Sequence, residues 1–307
     1  MKVALLGFGT VGQGVYDILI NEYKHIEIKY VLVKHREKHL DISNLLADSF
    51  EQIVNDPEIK LVIETIGGID PAYHYVKAAL NHQKHVVTAN KALISEYFDE
   101  LRGLAKEKGV KLRYEASVGA GIQIIEPLFQ IARFNHIYKI EGIINGSTNY
   151  ILSKIFLEDM SLDEALKDAK SLGYIEEDPK DDLEGFDLAR KIHILSMIAY
   201  QKPIDPKIIK RIPLTTITEE DIRKAKANHQ MIKYVARSKN IDDQLEIVVE
   251  PAFVDLSHLY RKINYEENII TLYGKYHLKQ SFIGQGAGRY PTASAIINDI
   301  LNIIKQS

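Results

Sequence analysis

The first third of the chain alternates short apolar runs with longer amphipathic stretches. The runs Val3–Leu6, Ile26–Val33 and Leu61–Gly68 have the length and composition of strands. The stretch that ends near Tyr23 and the stretch Pro71–Asn81 repeat their apolar positions at helical spacing. Strands that alternate with helices predict an α/β fold built on a parallel, doubly wound sheet.

The same alternation continues through two further strand–helix segments, Lys84–Ser95 and Val110–Phe129, the second of which has a glycine turn at 119–121. Ligands of doubly wound sheets bind at the carboxyl ends of the strands. Several polar residues fall at those ends, and together they predict one cleft: Glu64, Thr65, Lys91 and Glu115.

After about residue 136 the pattern changes. Ile137–Gly146 has the pattern of a strand, and Ser147–Asp159 that of a helix that opens with cap-type residues. Ser161–Gly173 is a helix with a capping box at its start and a glycine at its end. Met231–Gly284 contains several β-rich runs, so we predict a second, α+β domain. A glycine loop and an amphipathic helix follow, and the predicted domains are 1–130 plus 285–307 and 131–284.

The turn after the first strand carries the pattern G-x-G-x-x-G at Gly7, Gly9 and Gly12. In a strand–turn–helix unit the first glycine permits a tight turn, and the second lets the backbone approach a pyrophosphate. The third lets the helix pack against the strand, and the helix N-terminus attracts phosphate. The first domain is therefore predicted to be a Rossmann-type dinucleotide-binding domain.

The end of the second strand indicates which dinucleotide is preferred. A site for NAD usually has an acid there, whereas this chain has Lys34, His35 and Arg36. Cationic side chains suit the 2′-phosphate of NADP. We therefore expect NADP, although NAD and a merely solvated basic turn both stay open.

The amino-acid composition excludes several classes of function. The 307 residues contain no cysteine, which excludes disulfides and any dehydrogenase mechanism that acylates a cysteine. The net charge of −3 does not indicate binding to nucleic acid, and no apolar stretch is long enough to span a bilayer. Because the start of the chain also lacks a signal-peptide pattern, we expect a cytoplasmic protein.

An acidic segment leads into a predicted helix in the second domain. Seven carboxylates lie between Glu176 and Asp187, and Lys191 follows one helical turn later beside an apolar run. An acid and a lysine at i, i+4 are a common surface pair. Alternatively, a lysine at the edge of a buried stripe is desolvated, which lowers its pKa and makes it a general base. Asp187 opposes that change, so we expect it to position the amine.

These motifs together resemble those of homoserine dehydrogenases, and the resemblance covers essentially the whole chain. The matching segments are GFGTVGQGV at 7–15, ETIGG at 64–68, VTANKALIS at 87–95, EASVGAGIQII at 115–125, INGSTNYIL at 144–152, GYIEEDPKDDLEGFDLARK at 173–191 and GAGRYPTASAI at 286–296. The resemblance implies an NAD(P)-dependent oxidoreductase that interconverts L-homoserine and L-aspartate 4-semialdehyde in threonine, methionine and isoleucine biosynthesis.

The resemblance also implies roles for individual residues. It makes Lys191 the catalytic lysine, Lys91 a second lysine on the cofactor side, and Asp187 the acid that supports Lys191. The substrate would be bound by Glu176, Asp182, Gly173 and Tyr174. The cofactor would be bound by Gly7, Phe8, Gly9, Thr10, Val11, Gly12, Lys34, Arg36, Thr65, Lys91 and Gly286. A sodium ion would be held by Glu115, Val118, Ala120 and Ile122, with Ala120 standing where the family commonly has glycine.

Members of this family are usually dimers, so we expect a homodimer formed through the second domain. The chain ends soon after its last predicted helix, so we expect a short, monofunctional form without a regulatory ACT domain. Two other functions stay open: a dehydrogenase of another small amino or hydroxy acid, and a redox sensor that binds the cofactor without turnover.

Overall fold

A computed structural model describes residues 1–175 and 178–305. They form two compact units, Met1–Gln123 with the segment from Gly288 onwards, and Ile124–Ala287. The first division lies slightly before the expected 130/131 because helix Ile125–Ala132 packs against helix Phe186–Tyr200, within the second unit. No helix in the described ranges has the length and apolar composition needed to cross a membrane.

The first unit contains a parallel sheet with the strand order β2-β1-β3-β4-β5. Its strands are β1 (Lys2–Leu6), β2 (Glu27–Leu32), β3 (Ile59–Glu64), β4 (His85–Thr88) and β5 (Leu112–Arg113). Its helices are α1 (Thr10–Glu22), α2 (Phe50–Val54), α3 (Ala72–Asn81), α4 (Lys91–Glu107) and, from the end of the chain, α11 (Arg289–Lys305).

Side chains of the interior strand β1 point alternately into two separate cores. Val3 and Leu5 are fully buried in a cluster with residues of α1 and α11. Ala4 and Leu6 are fully buried in a second cluster with residues of α3 and α4. Because a strand covered on both faces must be apolar throughout, this arrangement explains the unbroken apolar run at the start of the chain. The predicted doubly wound sheet is confirmed.

The second unit contains a mixed sheet with the strand order β11-β10-β6-β8-β9-β7. Its strands are β6 (Ile137–Ile143), β7 (Lys210–Arg211), β8 (Met231–Ile241), β9 (Gln244–Val254), β10 (Glu267–Gly274) and β11 (Leu278–Gln285). Its helices are α5 (Ile125–Ala132), α6 (Gly146–Leu157), α7 (Leu162–Ser171), α8 (Lys180–Leu183), α9 (Phe186–Tyr200) and α10 (Glu219–Ala227).

Local sequence signals predicted some boundaries better than others. The capping box of α7 is confirmed, since Ser161 and Glu164 each bond the other's backbone. Strand β5 is shorter than predicted because Tyr114, with a ψ of 33°, turns the chain out of the ladder into a 3-10 turn. Helix α6 begins before the predicted Ser147, because Asn145 caps it by accepting a hydrogen bond from the Thr148 backbone N–H.

Candidate active site

The glycine turn between β1 and α1 has the steric requirements that the sequence indicated. A Cβ at Gly7 would lie 2.9 Å from the backbone of Thr65, and a Cβ at Gly12 would lie 2.4 Å from the carbonyl oxygen of Gly7. A Cβ at Gly9 would meet nothing within 4 Å, and Gly9 lines an open cleft. Helix α1 has no side-chain cap, so the N–H groups of its first turn face a ligand directly.

This cleft has a volume of about 960 Å³ and lies within the first unit. Its size suits a large part of a dinucleotide. Of the residues predicted to bind the cofactor, Gly7, Phe8, Gly9, Thr10, Lys34 and Thr65 line it. Further lining residues that the sequence did not single out include Gln13, Lys38, His39, Ile66 and Tyr75. The turn, the free helix terminus and the cleft all fit a dinucleotide.

The side chain of Arg36 is hydrogen-bonded to the loop at Ala47 and Asp48. Its guanidinium donates hydrogen bonds to the Ala47 carbonyl, at 2.8 Å, and to the Asp48 carboxylate, at 2.7 Å. Arg36 therefore shapes the loop beside the cleft, while Lys34, His35 and Lys38 line the cleft itself. Positive charge is present near the end of β2 in Lys34 and Lys38, which line the cleft, and Arg36 is engaged by Asp48.

Two loops that follow β3 and β4 are joined by the buried carboxylate of Glu64. It accepts hydrogen bonds from the backbone N–H groups of Ile66 and Gly67 and from the hydroxyl of Thr88. Burial raises the pKa of Glu64, while these donors oppose that rise. Asn90 completes the link, because its side chain donates to the Gly68 carbonyl. Glu64 thus fixes the loop that carries Thr65 against the turn that leads into α4.

Lys91 is the first residue of α4, directly after the cap residue Asn90. The positive end of a helix dipole disfavours an ammonium group at this position. A lysine here therefore does not serve helix stability, which is consistent with a role in binding or chemistry.

The segment proposed to hold sodium forms a tight buried bend. Glu115, Val118, Ala120 and Ile122 are all buried, and the Glu115 backbone N–H donates to Asp299. Ala120 has a left-handed φ of 48°, and a Cβ at Gly119 would lie 2.3 Å from the Ile122 carbonyl oxygen. One carboxylate and nearby backbone carbonyls are a donor set that suits a hard cation.

In the second unit, Lys191 is held in a buried cluster. Its ammonium nitrogen lies 2.7 Å from the Ile144 carbonyl oxygen and 2.9 Å from an oxygen of Asp187. Lys191 is 8% exposed and Asp187 is 4% exposed, so the pair is far from an ordinary surface pair. The surface-pair interpretation of the spacing is therefore wrong, because α9 turns this face into the interior.

Asn145 joins the acids of this cluster. Its side-chain NH₂ donates to Asp182, at 2.6 Å, and to Asp187, at 2.9 Å. Asp182 lies in the short helix α8, and Gly185, with a φ of 77°, separates α8 from α9. Because of this break, Asp182 of α8 and Asp187 of α9 both contact the side-chain amide of Asn145.

The remaining predicted substrate residues lie at the end of α7. Gly173 has a φ of 75°, and the Tyr174 carbonyl accepts a hydrogen bond from the Ser147 hydroxyl in the first turn of α6. The ring of Tyr174 stacks on that of Tyr150, with centroids 4.2 Å apart. Glu176 lies outside the described residues.

Comparisons with known proteins agree across both units. A model of the homoserine dehydrogenase NAD-binding domain matches residues 7–115, and a homoserine dehydrogenase model matches residues 124–301. Homoserine dehydrogenase of Bacillus subtilis is 35% identical, over 99% of this chain and 73% of the relative. The chain belongs to the homoserine dehydrogenase family. It is an NAD(P)-dependent oxidoreductase of amino-acid biosynthesis that interconverts L-homoserine and L-aspartate 4-semialdehyde.

Solved homoserine dehydrogenase structures share the fold. That from Thiobacillus denitrificans is 35% identical with a TM-score of 0.93, over 99% of this chain and 73% of that chain. A hyperthermophilic archaeal homoserine dehydrogenase in complex with NADPH is 26% identical with a TM-score of 0.86. The match to the archaeal chain covers 100% of this chain and 99% of that one.

The structure of this homoserine dehydrogenase brings the predicted residues together in two groups, one in each unit. Val11 and Gly12 lie in the first turn of α1, beside the cleft-lining residues. Gly286 lies in the second unit, where a Cβ would collide with Asn268, at 1.7 Å from its side-chain nitrogen. The sequence analysis named Glu64 as a strand-end residue of the cleft but gave no role to Asn145 or Lys38. For Asn145 a signal was present, since Asn-Gly-Ser-Thr is a string of cap residues.

Proposed function

We propose that Lys191 is the acid–base group of this homoserine dehydrogenase. The observation that carries the proposal is its burial between the Ile144 carbonyl and the Asp187 carboxylate. Burial penalises the charged amine, whereas the neighbouring Asp187 favours it, so the two influences on Lys191 oppose each other. The i, i+4 pair Glu220–Lys224 has the same order of acid and lysine but is mostly exposed, so burial does not act on it in this way.

Oxidation of an alcohol needs a hydride acceptor, which a nicotinamide bound to the first unit supplies, and a proton acceptor. A neutral Lys191 keeps two N–H groups, which suit the Ile144 carbonyl and Asp187, and its lone pair takes the hydroxyl proton of homoserine. In the reduction direction the ammonium form returns that proton. General acid–base catalysis contributes roughly 10²–10⁴-fold to the rate.

The acids near Lys191 suit the substrate, which is a small amino acid with one ammonium group. We assign Asp182 to that ammonium, because its carboxylate belongs to the Asn145 cluster yet is only partly buried. Glu176 keeps the same assignment on the family resemblance alone. Lys91 is assigned to the cofactor side on the family resemblance and because it begins α4, directly after β4 of the dinucleotide-binding sheet.

We further propose NADP(H) as the preferred cofactor. Lys34 and Lys38 line the cleft together with His35, and the two lysines provide positive charge for a 2′-phosphate. The NADPH complex of the archaeal relative supports this assignment. The sodium ion at Glu115, Val118, Ala120 and Ile122, the homodimer formed by the second unit and the cytoplasmic location stay predictions.

The test is turnover of L-homoserine with NADP, followed at 340 nm, for the wild type, Lys191→Ala and Lys224→Ala. We expect Lys191→Ala to lower kcat by at least about 100-fold with a nearly unchanged KM for NADP. Lys224→Ala should behave as the wild type, because its lysine has the same spacing from an acid but lies on the surface.

Two results would contradict the proposal. Activity of Lys191→Ala within a few-fold of the wild type would remove Lys191 from the mechanism. A folded wild-type protein that binds NADPH but turns over no homoserine with either cofactor would favour the sensor or another substrate.

A further inference from the structure

The junction between β6 and α6 contacts both members of the Lys191–Asp187 pair. Ile144 accepts a hydrogen bond from Lys191 through its carbonyl, and the next residue, Asn145, donates one to Asp187 through its side chain. Two consecutive residues therefore set the position of the amine and of the acid that supports it. Both residues are buried, with Ile144 at 1% and Asn145 at 4% exposure.

The orientation of the Asn145 amide is determined by its surroundings. Its oxygen accepts hydrogen bonds from the backbone N–H of Thr148 and from the Thr148 hydroxyl, both at 2.8 Å. A flipped amide would turn its NH₂ group towards the backbone N–H, which is itself a donor. The NH₂ group must therefore point at the carboxylates.

This orientation favours the charged form of the two acids. An NH₂ group only donates, so the oxygens of Asp182 and Asp187 that face it accept. Hydrogen bonds donated to a carboxylate stabilise its ionised form, while two carboxylates that share one nitrogen repel each other. A neutral donor between them offsets this repulsion without adding charge beside Lys191.

We propose that Asn145 is a positioning residue for the reaction: it holds Asp182 and Asp187 in place and favours their ionised forms, and through Asp187 it sets the position and the proton affinity of Lys191. The proposal rests on the proposed role of Lys191. The family comparisons assign no role to Asn145.

The decisive variant is Asn145→Asp, because aspartate still caps α6 at Thr148 but has no donor for the neighbouring acids. A third carboxylate in the cluster favours the ammonium form of Lys191. We expect kcat for homoserine oxidation at pH 7 to fall by roughly 100-fold, since misplaced catalytic groups have effects of this size. The acidic limb of the pH–kcat profile, where activity rises as Lys191 loses its proton, should move to higher pH, whereas KM for NADP should stay within about two-fold.

Two further variants separate positioning from capping. Ser161→Ala removes the cap of α7 and leaves the cluster intact, so it measures the effect of losing a cap alone. Thr148→Val removes the hydroxyl that helps to orient Asn145, and it should shift the pH profile in the same direction by a smaller amount. Thr148→Val also serves as the test if Asn145→Asp does not fold.

The proposal is overturned if a folded Asn145→Asp protein keeps both kcat and the pH profile of the wild type. It is also overturned if Thr148→Val, as the replacement test, leaves the profile unmoved. Failure of the underlying function is distinguishable, because an active Lys191→Ala would reject the role of Lys191 whatever Asn145→Asp does.

Discussion

A Cβ atom at Gly185 would lie 2.4 Å from the hydroxyl oxygen of Tyr234. Tyr234 cannot withdraw easily, because it is 1% exposed and its hydroxyl donates to the Ile212 carbonyl at 3.0 Å. The left-handed glycine at this point ends α8 and starts α9, so the contact fixes the chain between Asp182 and Asp187. The chain from Asp182 to Asp187 therefore has a defined conformation that a buried tyrosine supports.

Gly185→Ala should therefore impair both stability and activity. Gly173 is the matched control, since its φ of 75° nearly equals the 77° of Gly185 but a Cβ there would meet nothing within 4 Å. Gly173→Ala should reveal the cost of backbone strain alone, about 1–2 kcal/mol. We expect Gly185→Ala to lower the free energy of unfolding by about 1–3 kcal/mol more, as overpacking does. Urea unfolding measures the free energy of unfolding of both variants. Equal losses would mean that Tyr234 moves aside to accommodate the added methyl group.

The cofactor preference can be tested at the cationic part of the cleft. Replacing Lys34 and Lys38 by alanine should raise KM for NADPH by at least about tenfold and leave KM for NADH nearly unchanged, because a hydrogen bond to a charged group contributes about 1.5–3 kcal/mol. Lys60→Ala, an exposed lysine of the first unit that does not line the cleft, is the control. Equal KM values for the two cofactors in the wild type would contradict the NADP assignment.

Features decided by neighbouring residues were predictable from the sequence, and features decided by tertiary packing were not. The glycines of the first turn and the capping box of α7 depend on local geometry, and both were located correctly. Arg36 has the right charge beside the cleft, but its engagement by Asp48 depends on a loop that no short pattern describes. Asn145 was missed for the same reason, because its partners lie 37 and 42 residues away.

Ala120 tests the bend proposed to hold sodium. Its φ of 48° is a left-handed conformation that disfavours alanine by roughly 1–2 kcal/mol, while glycine adopts it freely. Glycine also makes the unfolded chain more flexible, which offsets part of the gain. We expect Ala120→Gly to raise the free energy of unfolding by about 0.5–1 kcal/mol. Gly119→Ala should instead be strongly destabilising, since its Cβ would lie 2.3 Å from the Ile122 carbonyl oxygen. A destabilised Ala120→Gly would show that the alanine methyl group has a packing role.

Lys233 gives a pH dependence of stability whose sign can be derived. It is fully buried, and its amine nitrogen lies 2.5 Å from the Ile263 carbonyl oxygen and 3.0 Å from the side-chain oxygens of Asn149 and Asn264. Burial lowers the pKa of Lys233 from 10.5 to about 7, with Arg261 adding to the decrease and Glu267 opposing it. The amine is therefore mostly neutral in the folded protein above pH 7, while it stays charged in the unfolded chain.

Between about pH 7 and pH 10 the unfolded chain thus binds more protons at this residue than the folded protein. The contribution of Lys233 to the free energy of unfolding should rise with pH in this window, by up to about 1.4 kcal/mol per pH unit, and be flat below it. Lys233→Met removes this dependence, and Lys224→Met, at an exposed lysine, keeps it. Urea unfolding from pH 6.5 to 9.5 measures the difference between the slopes. If the wild type and Lys233→Met have the same slope, Lys233 is charged in the folded state, and its three oxygen ligands stabilise a buried ammonium.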